Sequence, residues 1–137
     1  MTMRIAHCHC RDLELRCLGE PTKVSLCCCK ACQRRTGSAF SVAVFLRRDQ
    51  VSIHGETRVF TRASASGFAV AFHFCPACGA NVFWLPDRLP DRIGVALGAF
   101  EDATLLRPDQ AVWTTGRPSW LDLPSDIPCH DENPIRA

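Results

Sequence analysis

Apolar residues in this chain recur in short runs, and this pattern predicts a mainly β protein. Between residues 11 and 17, Leu13, Leu15 and Cys17 alternate with charged residues, which is typical of a strand with one buried face. A continuous apolar run predicts a central strand over residues 41–46. Further strands are predicted over residues 69–74, 81–85, 93–97 and 111–115.

Turn and helix signals divide these strands. Apolar residues 51–53 and 59–61 predict a hairpin that turns near Gly55. Helical patterns are weak: residues 31–38 predict one short helix, and residues 100–106 predict another that ends before a proline. Short strands with long connections therefore dominate the prediction.

Length and composition favour one domain. The 137 residues, 47 % of them hydrophobic, are enough to fill a core, so we expect residues 1–137 to form a single domain with an irregular tail from about residue 121. The net charge of +2 comes from scattered basic residues and does not suggest a nucleic-acid partner. No apolar run reaches the roughly 20 residues of a membrane helix, and the first residues lack the apolar core of a secretory signal. We expect a cytoplasmic protein with a small-molecule partner.

Cysteine is the residue type that stands out. The chain has 10 cysteines: Cys8, Cys10, Cys17, Cys27, Cys28, Cys29, Cys32, Cys75, Cys78 and Cys129. Secreted chains this rich in cysteine usually form disulfides, whereas intracellular ones more often bind metal. Most of these cysteines lie in tight groups, and near neighbours are geometrically poor disulfide partners. We therefore interpret the groups as metal sites.

Two close pairs of cysteines from opposite halves of the chain could supply the four ligands of a structural zinc ion: Cys8, Cys10, Cys75 and Cys78. A metal that closes so long a loop contributes strongly to folding. His7 and His9 are alternative ligands. A thioredoxin-like redox pair or unliganded buried thiols are alternative interpretations of the second pair, although the strand pattern after it does not match a redox motif.

A second group, Cys27, Cys29 and Cys32, offers three thiolates. Three protein ligands and one open position are typical of a catalytic zinc ion, which could take a thiol substrate at the open position. Cys28 points the other way in an extended segment, so we interpret it as a buried thiol, with a fourth ligand or a redox-sensitive neighbour as alternatives. Cys17 is expected to pack in the core.

Residues that follow the second group could bind the rest of a substrate. The candidates are Lys30, Arg34 and Arg35, whose charge would offset that of the thiolates and attract an anion, and Thr36, Gly37 and Ser38, whose amides and hydroxyls could hold a carboxylate or an oxyanion. An ordinary turn is an equal interpretation of the last three. His73, shortly before Cys75, is either a hydrogen-bond partner of the metal site or a plain strand histidine.

In this order and spacing the motifs resemble the glutathione-dependent formaldehyde-activating enzyme family, which also includes centromere protein V. The resemblance runs from about Cys8 to Trp120 and rests on Cys8-x-Cys10, Cys27-x-Cys29-x-x-Cys32 with Gly37-Ser38, Phe74-Cys75-Pro-Ala-Cys78-Gly79, Gly98 and Arg117-Pro-Ser-Trp120. The family often has glycine where this chain has Ala6 and Arg11.

The resemblance implies a fold, two metal sites and a reaction. The fold would be Mss4-like, or β-tent: a small zinc-stapled domain of short antiparallel strands. One zinc would be structural, and the other would lie open at the catalytic set Cys27, Cys29 and Cys32. The reaction would be that of a carbon–sulfur lyase acting on S-(hydroxymethyl)glutathione, with glutathione as co-substrate of formaldehyde. A non-catalytic zinc-binding interaction module and a redox or metal-handling protein are the alternatives.

Overall fold

Short strands dominate the part of the chain that the structure describes, as the apolar pattern predicts. The structure is a computed structural model, and it describes residues 1–104 and 106–134. Its main elements are β1 (Met3–His7), β2 (Glu14–Leu18), β3 (Lys23–Cys27), α1 (Lys30–Thr36), β4 (Ser41–Arg47), β5 (Val51–His54), β6 (Arg58–Ala63), β7 (Ala69–Phe74), β8 (Asn81–Pro86), β9 (Arg92–Ala96) and β10 (Gln110–Val112). Three short 3-10 turns lie at Arg48–Gln50, Leu97–Ala99 and Thr114–Gly116. No helix within the described residues is long and apolar enough to cross a bilayer.

The strands form two sheets. The small sheet has three strands in the order β1-β2-β5, and the large sheet has seven in the order β10-β3-β4-β9-β8-β7-β6. Every pairing is antiparallel except that of β10 with β3, which is parallel. The predicted mainly β, antiparallel class is confirmed.

The large sheet has two different faces, because residues directly opposite each other on paired strands point to the same side. One such row crosses four strands as Val24, Val44, Val95 and Phe83, all of them buried. This row packs in the main core together with residues of the small sheet and its loops, which include Ala6, Leu13, Leu15 and Cys17. Cys17 therefore packs in the core, as expected.

The opposite face carries a second row: Lys23, Phe45, Gly94, Trp84 and Phe72. Phe72 and Trp84 belong to a smaller cluster of buried residues that is separate from the main core. This face lines a cavity, and residues at the start of α1 also line it.

The predicted hairpin at Gly55 is wrong. Strand β5 pairs with β2 in the small sheet, and β6 pairs with β7 in the large sheet, so the chain crosses between sheets at this point. Gly55 has φ = 111°, and a side chain there would overlap the carbonyl oxygen of Asp12. The glycine reflects a close approach to another loop rather than a tight hairpin turn.

The helix predicted over residues 100–106 is not found in the described part of that segment. Phe100 is buried and forms an isolated bridge with Ala6. The side chain of Asp102 accepts a hydrogen bond from the Thr104 amide at 3.0 Å, a local contact that competes with helix formation. The other predicted helix exists as α1, although its bounds are slightly earlier.

Residues after position 121 lack strands and helices up to residue 134, the end of the described tail, but they are attached to the domain. Leu121, Leu123 and Ile127 pack against a cluster that contains Leu26 and Cys28. Backbone hydrogen bonds also join this tail to β10.

We predict that Gly55→Ala is much more destabilising than Gly67→Ala. Both glycines have positive φ, so alanine costs about 1 kcal/mol at either position. Only at Gly55 would the new methyl group overlap backbone, which adds about 1–3 kcal/mol of overpacking. Urea unfolding followed by far-UV circular dichroism measures both losses. Equal losses would contradict the close approach between the two loops.

Candidate metal centres and active site

Four cysteine sulfurs meet where the two sheets join. Cys8 and Cys10 follow β1 of the small sheet, and Cys75 and Cys78 lie in the turn between β7 and β8 of the large sheet. The four Sγ atoms all lie within 4.8 Å of one another. Cys10 Sγ is 3.6 Å from Cys8 Sγ and 3.7 Å from Cys75 Sγ. Zinc–sulfur bonds of about 2.3 Å in a tetrahedron place sulfurs about 3.8 Å apart, so this spacing fits zinc.

Backbone amides support these sulfurs. The Leu13 amide donates to Cys8 Sγ at 3.3 Å, and the Ala77 amide donates to Cys75 Sγ at 3.4 Å. A backbone hydrogen bond involving Ala80 is the largest of the effects that lower the pKa of Cys78, to about 6. Such contacts favour thiolates, the form in which cysteine binds metal.

The residues around the first pair explain two features of the sequence. Arg11 has φ = 72°, a left-handed conformation that glycine adopts without strain, so the structure accounts for the glycine that the family often has there. His7 donates through Nδ1 to the carbonyl oxygen of Cys8 at 2.7 Å. Neither His7 nor His9 belongs to the group of four potential ligands in the described chain.

The second group converges at the start of α1. Cys27 ends β3, Cys29 is the N-cap of α1, and Cys32 lies in its first turn. Their three Sγ atoms lie within 4.8 Å of one another, and the Cys32 amide donates to Cys29 Sγ at 3.3 Å. Cys28 is fully buried on the other side, packed with Leu26 in the cluster beneath the tail.

The three thiols perturb one another strongly. Hydrogen bonding to Cys27, followed by that to Cys29, lowers the pKa of Cys32, and Ser41 and the charge of Arg35 act in the same direction. The hydrogen bonds to Cys29 and Cys32 raise the pKa of Cys27. The three thiols therefore titrate together rather than as independent acids.

A cavity of about 510 Å³ opens onto this cluster. Its lining includes all three cysteines, the aromatic residues Phe45, Phe72, Trp84 and Trp113, and the basic residues Lys23, Arg35, Arg62, Arg88 and Arg92. Among the described residues, no aspartate or glutamate lines it. The cavity thus combines an apolar floor with a positive charge, which suits an anionic ligand.

Of the six residues predicted to bind substrate after the second group, Arg35 alone is among those that line this cavity; Lys30, Arg34, Thr36, Gly37 and Ser38 are not. The Thr36 hydroxyl donates to the Cys32 carbonyl at 2.9 Å and accepts a hydrogen bond from the Ser38 amide at 3.1 Å. These contacts close the last turn of α1. A direct role for the five residues outside the lining stays a prediction.

Arg35 is held firmly in this cavity. Its Nη1 donates to Asn81 Oδ1 at 2.6 Å, and its Cζ lies 4.4 Å from the ring centroid of Trp84. Burial lowers the pKa of Arg35. Its Nε is buried and has no hydrogen-bond partner among the described residues.

Sequence reasoning missed most of the basic lining, since these residues come from strands that are distant along the chain. The sequence of β6 does carry a signal: Arg58, Phe60 and Arg62 occupy every second position, so they lie on the same face of the strand. His73 is bonded through Nδ1 to the Thr57 hydroxyl at 2.9 Å and stacks on Phe83, so the structure favours the plain strand histidine.

Comparison with known proteins assigns the chain to a family. The model of the family described as glutathione-dependent formaldehyde-activating enzyme matches residues 3–116, and the chain belongs to this family. The resemblance noted from the motifs is thereby confirmed. A crystal structure of a Rhodobacter sphaeroides protein, a structural genomics target, superposes with a TM-score of 0.56 at 20 % identity, covering 71 % of this chain and 87 % of that one. That likeness concerns the fold alone. No curated protein matches the chain.

We predict different consequences for the two cysteine groups. Cys75→Ser should remove one zinc ion per chain and unfold the protein at a much lower temperature, because Cys75 is fully buried where the sheets meet. Cys29→Ser should remove the other zinc ion and leave the fold intact, since it caps only a seven-residue helix. Zinc content and thermal unfolding measure both effects.

Cys129→Ser is the matched control for both variants, because Cys129 is exposed and outside both groups in the described structure. It should keep two zinc ions and the normal unfolding temperature. If Cys29→Ser unfolds as readily as Cys75→Ser, the division into a structural and a functional site is wrong.

We also predict that Gly94→Ala disturbs the cavity floor. The added methyl group would overlap Nε1 of Trp84, whose ring packs against Gly94 and faces Arg35. The indole must shift, at a cost of about 1–3 kcal/mol. Tryptophan fluorescence and urea unfolding measure the change. An unchanged spectrum and unchanged stability would show that Trp84 is not fixed by this contact.

Proposed function

We propose that this protein is a zinc-dependent enzyme that joins a thiol to a small aldehyde, with glutathione and formaldehyde as the substrates and S-(hydroxymethyl)glutathione as the product. The observation that carries the proposal is the convergence of Cys27, Cys29 and Cys32 in the lining of an open, basic cavity. In the described residues the group holds three potential ligands rather than four. Membership in the family supports the choice of substrates.

The donor set suits zinc. Three cysteine sulfurs within 4.8 Å of one another match the soft ligands and the close spacing that zinc requires, and they leave one of its four positions for a substrate. Zinc bound there would lower the pKa of a substrate thiol and keep it as the nucleophilic thiolate. The other group, at Cys8, Cys10, Cys75 and Cys78, would hold a closed structural ion.

The chemistry that the chain must support is a simple addition. The thiolate sulfur of glutathione forms a bond to the carbonyl carbon of formaldehyde, the π electrons of the carbonyl move to its oxygen, and that oxygen takes up the proton that the thiol has lost. No oxidant or reductant is involved. Arg35, beside Cys32, offsets part of the negative charge that the thiolates bring together.

The test is NMR exchange spectroscopy on glutathione and formaldehyde at equilibrium. It measures the rate of exchange, which must be compared with the uncatalysed rate because the same addition also proceeds without a catalyst. Purified zinc-loaded protein should speed the exchange of formaldehyde between its free form and the glutathione adduct. Cys29→Ser should return the exchange rate to the uncatalysed value, whereas Cys129→Ser should match the unaltered protein.

Other outcomes would point to the two alternatives. A protein that carries two zinc ions and does not change the exchange rate would contradict the enzyme and favour a zinc-binding interaction module. A cluster that releases one zinc ion reversibly on oxidation would favour redox or metal handling.

A further inference from the structure

Two of the four arginines that line the cavity, Arg35 and Arg62, carry charges that the addition chemistry does not require together. The Cζ atoms of Arg35 and Arg62 lie 5.0 Å and 4.6 Å from the ring centroid of the same residue, Phe72. Arg35 comes from α1 and Arg62 from β6, the strand at the end of the large sheet. The fold thus brings two like charges from distant parts of the chain to one aromatic ring.

Neither guanidinium forms an ion pair with a carboxylate in the described residues. Arg62 donates through Nη1 to the carbonyl oxygen of Ala63, its neighbour in the chain, at 3.1 Å. Arg35 donates to Asn81 and keeps a buried Nε without a partner there. Two guanidinium charges thus line the cavity without a carboxylate partner among the described residues.

Close positive charges that lack an anion repel each other, and burial adds to the cost. Phe72 and Trp84 offset part of the cost through cation–π contacts. Stacking uses the flat faces of a guanidinium and leaves its in-plane N–H groups for a carboxylate.

We propose that Arg35 and Arg62 form a subsite for a carboxylate of the thiol substrate, so that the cavity selects acidic thiols over neutral ones. The selection of thiols rests on the proposed function, but the carboxylate subsite itself does not. The apolar floor beside the pair, formed by Phe72 and Trp84, would exclude water from the contact and strengthen it.

A ligand without a thiol tests the subsite alone. S-methylglutathione carries two carboxylates and cannot place a thiolate at the cysteine cluster. Its binding to the zinc-loaded protein should shift the indole N–H resonance of Trp84, which lies against Arg35. Arg62→Gln should raise the dissociation constant about tenfold, the effect of losing one charge-assisted contact.

Arg58 is the matched control for both arginines. It lies on the same strand as Arg62, is exposed and does not line the cavity. Arg58→Gln should leave the binding of S-methylglutathione unchanged, whereas Arg35→Gln should weaken it. Absence of binding to the unaltered protein, or a loss in Arg58→Gln equal to that in the other two variants, would overturn the subsite.

Selection among thiols is tested in the exchange reaction with two compounds that differ in charge alone. The KM for 3-mercaptopropionate should be about tenfold lower than that for 3-mercaptopropionamide, and Arg62→Gln should remove the difference. Equal KM values in the unaltered protein would overturn the selection. If S-methylglutathione binds but the exchange of formaldehyde is never accelerated, the proposed function fails and the subsite stands.

Discussion

Four cysteine sulfurs meet where the small sheet ends and the large sheet turns from β7 into β8, and the positions of the other parts depend on this junction. Asn81, at the start of β8, accepts a hydrogen bond from Arg35 and donates one to the carbonyl oxygen of His73. A register shift between β7 and β8 lies at this point, after His73. The turn that carries Cys75 and Cys78 therefore also places the group that holds Arg35 beside Cys32.

The two faces of the large sheet serve different purposes: one forms part of the hydrophobic core, and the other lines the cavity of the candidate site. One face is covered by the small sheet and is filled with aliphatic and aromatic residues such as Val44 and Phe83. The other face is left open enough to form a cavity, and its smaller apolar cluster around Phe72 and Trp84 serves as a floor. The start of α1 brings the three thiols to the same cavity, so the cysteine cluster and the apolar floor line one space.

The sequence predicted those features of the fold and of the site that depend on residues close together in the chain. The alternation around Leu15, the apolar run of β4 and the spacing of the cysteines identified strands and metal groups, because each depends on neighbours in the chain. Strands β1 and β3 were missed, as were the partners of β5 and β6, because pairing depends on contacts across the fold. Arg62 and Trp84 were missed for the same reason: nothing near them in the sequence indicates that Trp84 lies against Arg35 or that Arg62 and Arg35 meet at the same phenylalanine ring.

The chain is extended at Cys27, Cys28 and Cys29, so these chemically identical side chains point alternately to opposite sides. The outer two reach the cavity, whereas Cys28 is fully buried beneath them, and its carbonyl oxygen lies so close to Gly116 that a side chain there would overlap it. Cys28 could replace a neighbour as a ligand only if the strand turned over and this packing broke. Ligand exchange within the run is thus blocked by backbone geometry, and a chain with three consecutive thiols still presents a single set of donors to a metal ion.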